Sequence, residues 1–537
     1  MSDPKAFRLP DIDPSARPEF SDGASCRAWL QDVPLANVAA AQHQLLIQLE
    51  EFNRYAARPE DRFAVLEAVR DAVNFVQIEQ AKRFTNRALP MLEPEAAVFE
   101  DTIELWEQMR QGYLRCLEAG GPALRAQNAL LCQRALAYSG LRMFHHYRAY
   151  RQVPARDWRE LHRVYALAET LGVADPVVKD YLNRDVHDTS PRIAYLRATL
   201  MGMCNPNELT PRQVTFVAYL LERWADKVEV VRAPVDEGDS PPLAVDLAGD
   251  RCAERAPLEG EALRFLDARR LAKSLRNRVA LLRKGESPAR LALGEDCVQP
   301  SCEVLLVFLY RQWCQARATR GAERKRVADT AQVCTDLAAI HYYISGRVFR
   351  AASAFKELSA KQRDEIATFG RISTREDEDY SVAQGFLLEH WRLEDESTIG
   401  LKLQRRAGTP GRRMLHGQLV AVRTADAKSF QLGQVRWLMA TDTGELYCGL
   451  KFLPGLPFAA AVRGTGISAT EERYVQAIAL AAVPALSAPP TLVMQTGWYK
   501  PKRVIEAALQ KPTRVRLVEV IERGTDFERV AYEVLPD

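Results

Sequence analysis

Near residue 385 the spacing of apolar residues changes from the three-to-four of an amphipathic helix to the two of a strand. That switch restricts the chain to an α+β class in which a large N-terminal all-helical region precedes a β part. Upstream, Leu45, Leu46, Leu49 and Phe52 fall on one helical face. Phe63, Leu66, Val69, Val73 and Val76 fall on a second, and Val98, Leu105, Trp106, Met109 and Tyr113 on a third. Downstream, 401–404, 417–422, 432–438 and 447–453 alternate or run apolar between turn residues, as strands of a small antiparallel barrel do. Three further strands are predicted at 491–494, 514–520 and 529–535.

Between these extremes the helical signals continue. Segments near 96–118, 122–150, 155–172 and 175–183 follow one another through short connections, which suits stacked helical hairpins. Asp175-Pro176, Thr210-Pro211 and Ser287-Pro288 each place a capping residue before a first-turn proline. Residues 228–231 and 243–247 are strand-like and flank a polar loop, so a β-hairpin is expected there. Helices are expected again at 261–283, 303–319 and 351–370.

A chain of 537 residues exceeds one hydrophobic core and calls for several domains. Its 73 basic and 70 acidic residues nearly cancel, so a phosphate site has to be local rather than a global field, and nucleic acid is an unfavoured partner. The ten cysteines show no Cys-x-x-Cys pair and the eight histidines no zinc spacing. The thiols read as reduced and mostly buried, with no metal and no cofactor. The N-terminus lacks an apolar signal core and no stretch has the length of a membrane span, so a cytoplasmic location is expected. No Gly-rich phosphate loop, nucleophile elbow or zinc pattern argues for an enzyme, and the expectation is a non-enzyme.

The densest chemistry lies in Asp395-Glu396-Ser397-Thr398-Ile399-Gly400. A carboxylate can accept two hydrogen bonds from the N1–H and N2–H edge of guanine, a hydroxyl can serve a neighbouring polar atom, and a glycine lets the backbone approach closely. The plainer alternative is a hydrogen-bonded turn with Gly400 at positive φ. Twenty residues upstream, Arg371 and Arg375 are spaced Arg-x-x-x-Arg; guanidinium groups pair with phosphate oxygens through a planar fork and stack on bases. An acidic run at 376–379 follows them and could pair with them in the free protein. Lys402, Arg405, Arg406, Arg412 and Arg413 form a second basic group, read as a solvated hairpin tip. The basic interval 317–326 reads as a solvated helix end or loop, and the Trp498-Tyr499-Lys500 corner as a buried aromatic turn.

Taken together, the Asp-x-Ser-x-x-Gly turn, the basic turn, the Gly433-Gln434-Val435-Arg436-Trp437 strand and the Cys448-Gly449-Leu450-Lys451-Phe452-Leu453 strand resemble the PilZ-domain family of bacterial cyclic di-GMP receptors. The resemblance covers the C-terminal part only. Composition and apolar spacing divide the rest of the chain into a flexible arm at 1–25, a helical domain at 26–225, a hairpin-like insertion at 226–260, and a second helical segment and linker at 261–370, with a β extension at 464–537. The resemblance implies a PilZ-like β-barrel at 371–463. It also implies cyclic di-GMP as ligand, bound by Arg371, Arg375, Asp395, Ser397 and Gly400. The function expected from it is a receptor whose barrel senses the nucleotide and whose helical region passes the signal to a protein partner. The alternative is an adaptor blind to nucleotide, acting through protein contacts in motility or surface-appendage control.

Overall fold

The computed structural model describes residues 7, 9–235, 241–257, 259–315, 325–349, 384–465 and 473–536. Arg371, Arg375, the acidic run at 376–379 and the helix expected at 351–370 lie outside the described residues, as does most of 317–326. The chain divides into two compact units, one of Met1–Arg87 with Met91–Arg320 and one of Ala88–Pro90 with Gly321–Asp537.

The first unit is helical. Its elements are α1 (Gly23–Asp32), α2 (Val38–Arg54), α3 (Pro59–Ala81), α4 (Glu93–Ala119), α5 (Pro122–Arg125), α6 (Asn128–Arg148) and α7 (Ala155–Thr170). The short pair β1 (Val178–Lys179) and β2 (Asp188–Thr189) leads to α8 (Pro191–Met203) and α9 (Pro211–Trp224). Thr210 caps α9 as its Thr-Pro signal predicts, accepting from the Gln213 N–H in a capping box. The stripes on α2, α3 and α4 converge on one core in which Leu45, Leu49, Phe52, Leu66, Val69, Leu105 and Trp106 are sealed. Residues 9–22 run as an extended arm over these helices; the Arg17 N–H donates to the Glu51 carboxylate and Phe20 is buried beside Phe52.

Asp175-Pro176 starts no helix, for a reason lying in charge. The β1–β2 loop instead inserts Asp180, which is buried, against Arg70 of α3 at 2.5 Å and Arg134 of α6 at 3.4 Å. Gln133 donates to the same carboxylate at 2.9 Å. Glu67 of α3 also pairs with both guanidiniums, at 3.4 and 3.0 Å, so the loop adds a second carboxylate to a buried cluster of two arginines. Ser287-Pro288 likewise opens only a turn.

The expected hairpin of 228–231 and 243–247 is replaced by a four-stranded sheet. β3 (Glu229–Val231) and β4 (Leu243–Asp246) do not pair; β6 (Leu263–Asp267) lies between them, with β5 (Glu254–Arg255) on the outer side of β4. β6 occupies the start of the helix expected from 261, where Leu263, Phe265 and Leu266 suit either period. The helix begins at α10 (Arg269–Arg283) and is followed by α11 (Ser301–Cys314). Cys297 and Cys302 form a disulfide, against the expectation of reduced thiols throughout.

The second unit is two closed six-stranded antiparallel barrels. The first contains β7 (Lys325–Thr335), β8 (Glu389–Ser397), β9 (Gly400–Arg405), β10 (Leu419–Thr424), β11 (Gln431–Ala440) and β12 (Leu446–Phe452), in the order β10-β11-β12-β9-β8-β7. β7 therefore enters it from well before residue 371. α12 (Leu337–Ser345) follows β7, capped by Asp336. The second barrel, β13-β14-β15-β18-β17-β16, is built from β13 (Pro457–Gly464), β14 (Val475–Leu480), β15 (Thr491–Gln495), β16 (Val504–Ala508), β17 (Pro512–Arg523) and β18 (Phe527–Val534). The two barrels share a core: Leu419 and Leu432 of the first pack with Ile478, Val493 and Phe527 of the second and with Ile340 of α12. The Leu419 N–H donates across this junction to Asp526 at 2.9 Å.

A second buried ionic cluster lies in the helical unit, where Glu107 accepts from Arg110 at 2.8 and 2.5 Å and from Arg142 at 2.8 Å. Burial alone would raise the Glu107 pKa, but the two guanidiniums outweigh it and hold the group down to about 2 from an ordinary 4.5. The folded value lies below the unfolded one, so the stabilisation is complete above about pH 4.5 and is lost as pH falls towards 2. Acid titration followed by circular dichroism should show helical unfolding across that window, and Glu107→Gln should remove part of the dependence. At neutral pH, Asp180→Ala should destabilise the unit by about 3–5 kcal/mol in urea, because two buried guanidiniums are left with Glu67 as their shared carboxylate.

Candidate functional site

The Asp-x-Ser-x-x-Gly segment is the tip of the β8–β9 hairpin. Ser397 pairs with Gly400 across a two-residue loop in which Thr398 and Ile399 are exposed. The Ser397 hydroxyl donates to the Gly400 carbonyl at 3.1 Å, and Asp395 and Ser397 are half-buried on the strand rather than sealed in the core.

Gly400 is needed for a reason the motif alone did not supply. It does not adopt positive φ; instead its Cα faces β12, where an added Cβ would fall 2.0 Å from the Leu450 carbonyl oxygen. The glycine is a requirement of strand pairing.

Asp395 is flanked by irregularities on both sides. The β7–β8 register shifts between Arg326 and Asp329, and the β8–β9 register between Leu393 and Asp395. Bulges of this kind bend a strand and re-aim its side chains. Asp395 consequently stands opposite Lys402 of β9 and, in the backbone ladder, opposite Arg326 of β7. Lys402 in turn pairs with Gly449 of β12, and Gly449 with Trp437 of β11. One rung thus runs Asp395, Lys402, Gly449, Trp437 across four strands.

The missing side chain at Gly449 makes room for the indole. A Cβ there would lie 1.8 Å from Trp437 Nε1, so the ring rests on the glycine, half-buried, with one face towards the barrel. Both motif strands identified from sequence therefore meet at a single contact. Beside it the Lys402 ammonium lies 5.3 Å from the Tyr447 ring centroid, and Gln404 donates to the Tyr447 hydroxyl at 2.8 Å. Burial, with Glu445 and Glu394 nearby, holds the Tyr447 phenol above its usual pKa and so neutral. With Tyr447 beside it, the rung offers a carboxylate, an ammonium, a phenol and an indole. Lys402 stands beside the basic turn in the sequence, while nothing local marks Trp437 or Tyr447, because strand register decides their neighbours.

The basic turn itself disperses. Arg405 is buried in an ion pair with Glu389 at 3.1 Å and lies over Trp391. Arg412 pairs with Asp336 at 3.2 Å and donates to the Gly385 carbonyl at 2.8 Å. Arg413 donates to the Ala88 and Pro90 carbonyls. Of the five, Arg406 is the exposed one that fits a solvated tip. In the second barrel Arg503 covers Trp498 at 4.9 Å, in keeping with an aromatic corner packed against the core. His145 and His146 are buried, and among the described residues no group of histidine, cysteine and acidic side chains could hold a metal ion. No helix of the described residues is long and apolar enough to cross a membrane.

Replacing Gly449 by Val should drive the indole off its seat at a cost of about 1–3 kcal/mol, typical of overpacking. Chemical unfolding of the full chain, with a changed near-ultraviolet signal in the native baseline, reads this directly.

Comparison with known proteins gives matches at both ends. Residues 24–234 match the family model described as the N-terminal domain of cyclic-di-GMP receptor FimW, and 460–535 that of the FimW C-terminal beta-barrel domain. The second range coincides closely with the second barrel, while the first barrel lies between the two matches. A curated relative, the cyclic-di-GMP receptor FimW of Pseudomonas aeruginosa, is 23% identical over 514 residues, spanning 87% of this chain and 82% of its own length. The chain is therefore similar along nearly its whole length to FimW, with the helical unit and the second barrel each matching a FimW domain model.

Proposed function

We propose that the protein is a cyclic di-GMP receptor and that its first barrel, which we read as PilZ-like, carries the nucleotide site on the β8–β9–β12–β11 face. The observation that carries the reading is the similarity to a cyclic-di-GMP receptor across 87% of the chain. The rung from Asp395 to Trp437 supports it. A carboxylate at Asp395 is suited to the guanine N1–H and N2–H edge, Lys402 to a phosphate, and the outer indole face of Trp437 to a base. Arg371 and Arg375 join the site in this reading through their Arg-x-x-x-Arg spacing in the sequence. Ser397 and Gly400 then contribute mainly by fixing the hairpin tip that holds Asp395. No reaction is assigned; the protein acts by binding, and the helical unit is where a protein partner would be engaged.

Titration calorimetry of the full chain with cyclic di-GMP tests this. At fixed salt, Asp395→Ala, Lys402→Ala, Arg371→Ala and Arg375→Ala should each raise Kd more than tenfold, since a charge-assisted contact is worth about 1.5–3 kcal/mol. Arg406→Ala, just past the end of β9 remote from the hairpin tip, should change it little. Folded wild-type protein that binds no nucleotide at high micromolar concentration would favour the adaptor instead.

A further inference from the structure

α10 contains basic residues and no carboxylate over its 15 residues, and Lys284 follows at its C-cap. Its apolar side, Leu271, Leu275, Val279 and Leu282, is buried in the helical core. On a helix of 100° per residue the opposite side carries Arg269, Lys273, Arg276 and Lys284.

Neighbouring carboxylates are already engaged by other basic residues. Arg269 holds Asp267 at 2.5 Å, Arg270 approaches Glu229 at 3.5 Å, Arg283 holds Glu303 at 2.7 Å and Arg290 approaches Glu286 at 3.3 Å. Lys273, Arg276 and Lys284 make no ion pair among the described residues, and Arg276 meets only the Tyr310 ring at 6.0 Å. All three are exposed, and they extend over ~16 Å of helix. In a chain of net charge +3 this is a local excess, not a reflection of overall composition.

Apolar side chains accompany the charges. Leu281 is 40% exposed, and Val304 at the start of α11 is 68% exposed. The Arg283–Glu303 ion pair brings those two helix ends together. Cations interleaved with exposed aliphatic side chains suit the boundary between phospholipid headgroups and acyl chains, where both find partners. A nucleic-acid strand would instead call for exposed aromatic platforms, and among the described residues the ring that meets this face, Tyr310, is half-buried beneath Arg276.

We propose that the exposed face of α10, with the start of α11, is a peripheral docking surface for an anionic phospholipid membrane. Because the apolar side of α10 is committed to the core, the contact is electrostatic with shallow aliphatic insertion, and therefore reversible and salt-sensitive.

The test is co-sedimentation of the full chain with vesicles of phosphatidylcholine alone and of phosphatidylcholine mixed with phosphatidylglycerol. Binding to the mixed vesicles and not to the neutral ones is expected, falling as salt is added. Each cation near an anionic surface contributes about fivefold in partitioning, so the triple variant K273Q/R276Q/K284Q should lose on the order of a hundredfold. Its thermal unfolding should match wild type, since the three side chains are exposed and bear no carboxylate partner. Equal binding to both vesicle types, or an unchanged triple variant, would overturn the proposal. So would retention by duplex DNA, lost in the triple variant, without vesicle binding.

Discussion

The first barrel is organised around one buried ion pair. Arg405 at the end of β9 and Glu389 at the start of β8 are both almost fully enclosed, and each satisfies more than the other. Glu389 accepts from the Trp391 indole at 3.0 Å and from the Arg412 backbone N–H at 2.7 Å; Arg405 donates to the Arg412 carbonyl at 2.8 Å. A charge pair taken out of water is tolerable only when its remaining hydrogen-bonding capacity is filled. Here the filling partner is the chain itself, so the returning segment before β10 is stitched to the strands it leaves. An added Cβ at Gly411 would meet both partners within 2.4 Å, leaving room for this segment and no other. The β8–β9 hairpin, and with it the Asp395 rung, hangs from that fixed end.

Much of the architecture was legible because it depends on period. The apolar stripes of α2, α3 and α4 and the alternation of β9, β11 and β12 are local patterns, and each forms as its spacing predicts. The failures are long-range. Residues 175–183 have helical punctuation, but the charge on Asp180 is claimed by Arg70 and Arg134, far away in sequence. β6 reads as either a helix or a strand until a partner on each side decides it. Lys325–Thr335 hides its alternation among charged residues and joins a barrel whose other strands begin more than fifty positions later.

The site divides in the same way. Asp395 and Ser397 belong to a contiguous motif, and they lie at the hairpin tip where that motif predicts a turn. Of the two readings of Gly400, positive φ fails, since its conformation is ordinary, and its constraint is a close approach to the Leu450 carbonyl opposite. Trp437 and Tyr447 were invisible as site residues, because nothing in a single strand shows which residue its neighbour places alongside.

The shared core of the two barrels has a consequence for how this unit can be divided. The C-terminal match covers residues 460–535 alone. Folding does not respect that boundary: Leu432 and Val493 belong to one packed interior, and α12 seals it from the side. A cut between the barrels exposes an apolar wall on each half, and a fragment that starts after residue 345 forfeits β7 and leaves β8 and β10 as open edges. These contacts tie both barrels, β7 and α12 into one piece.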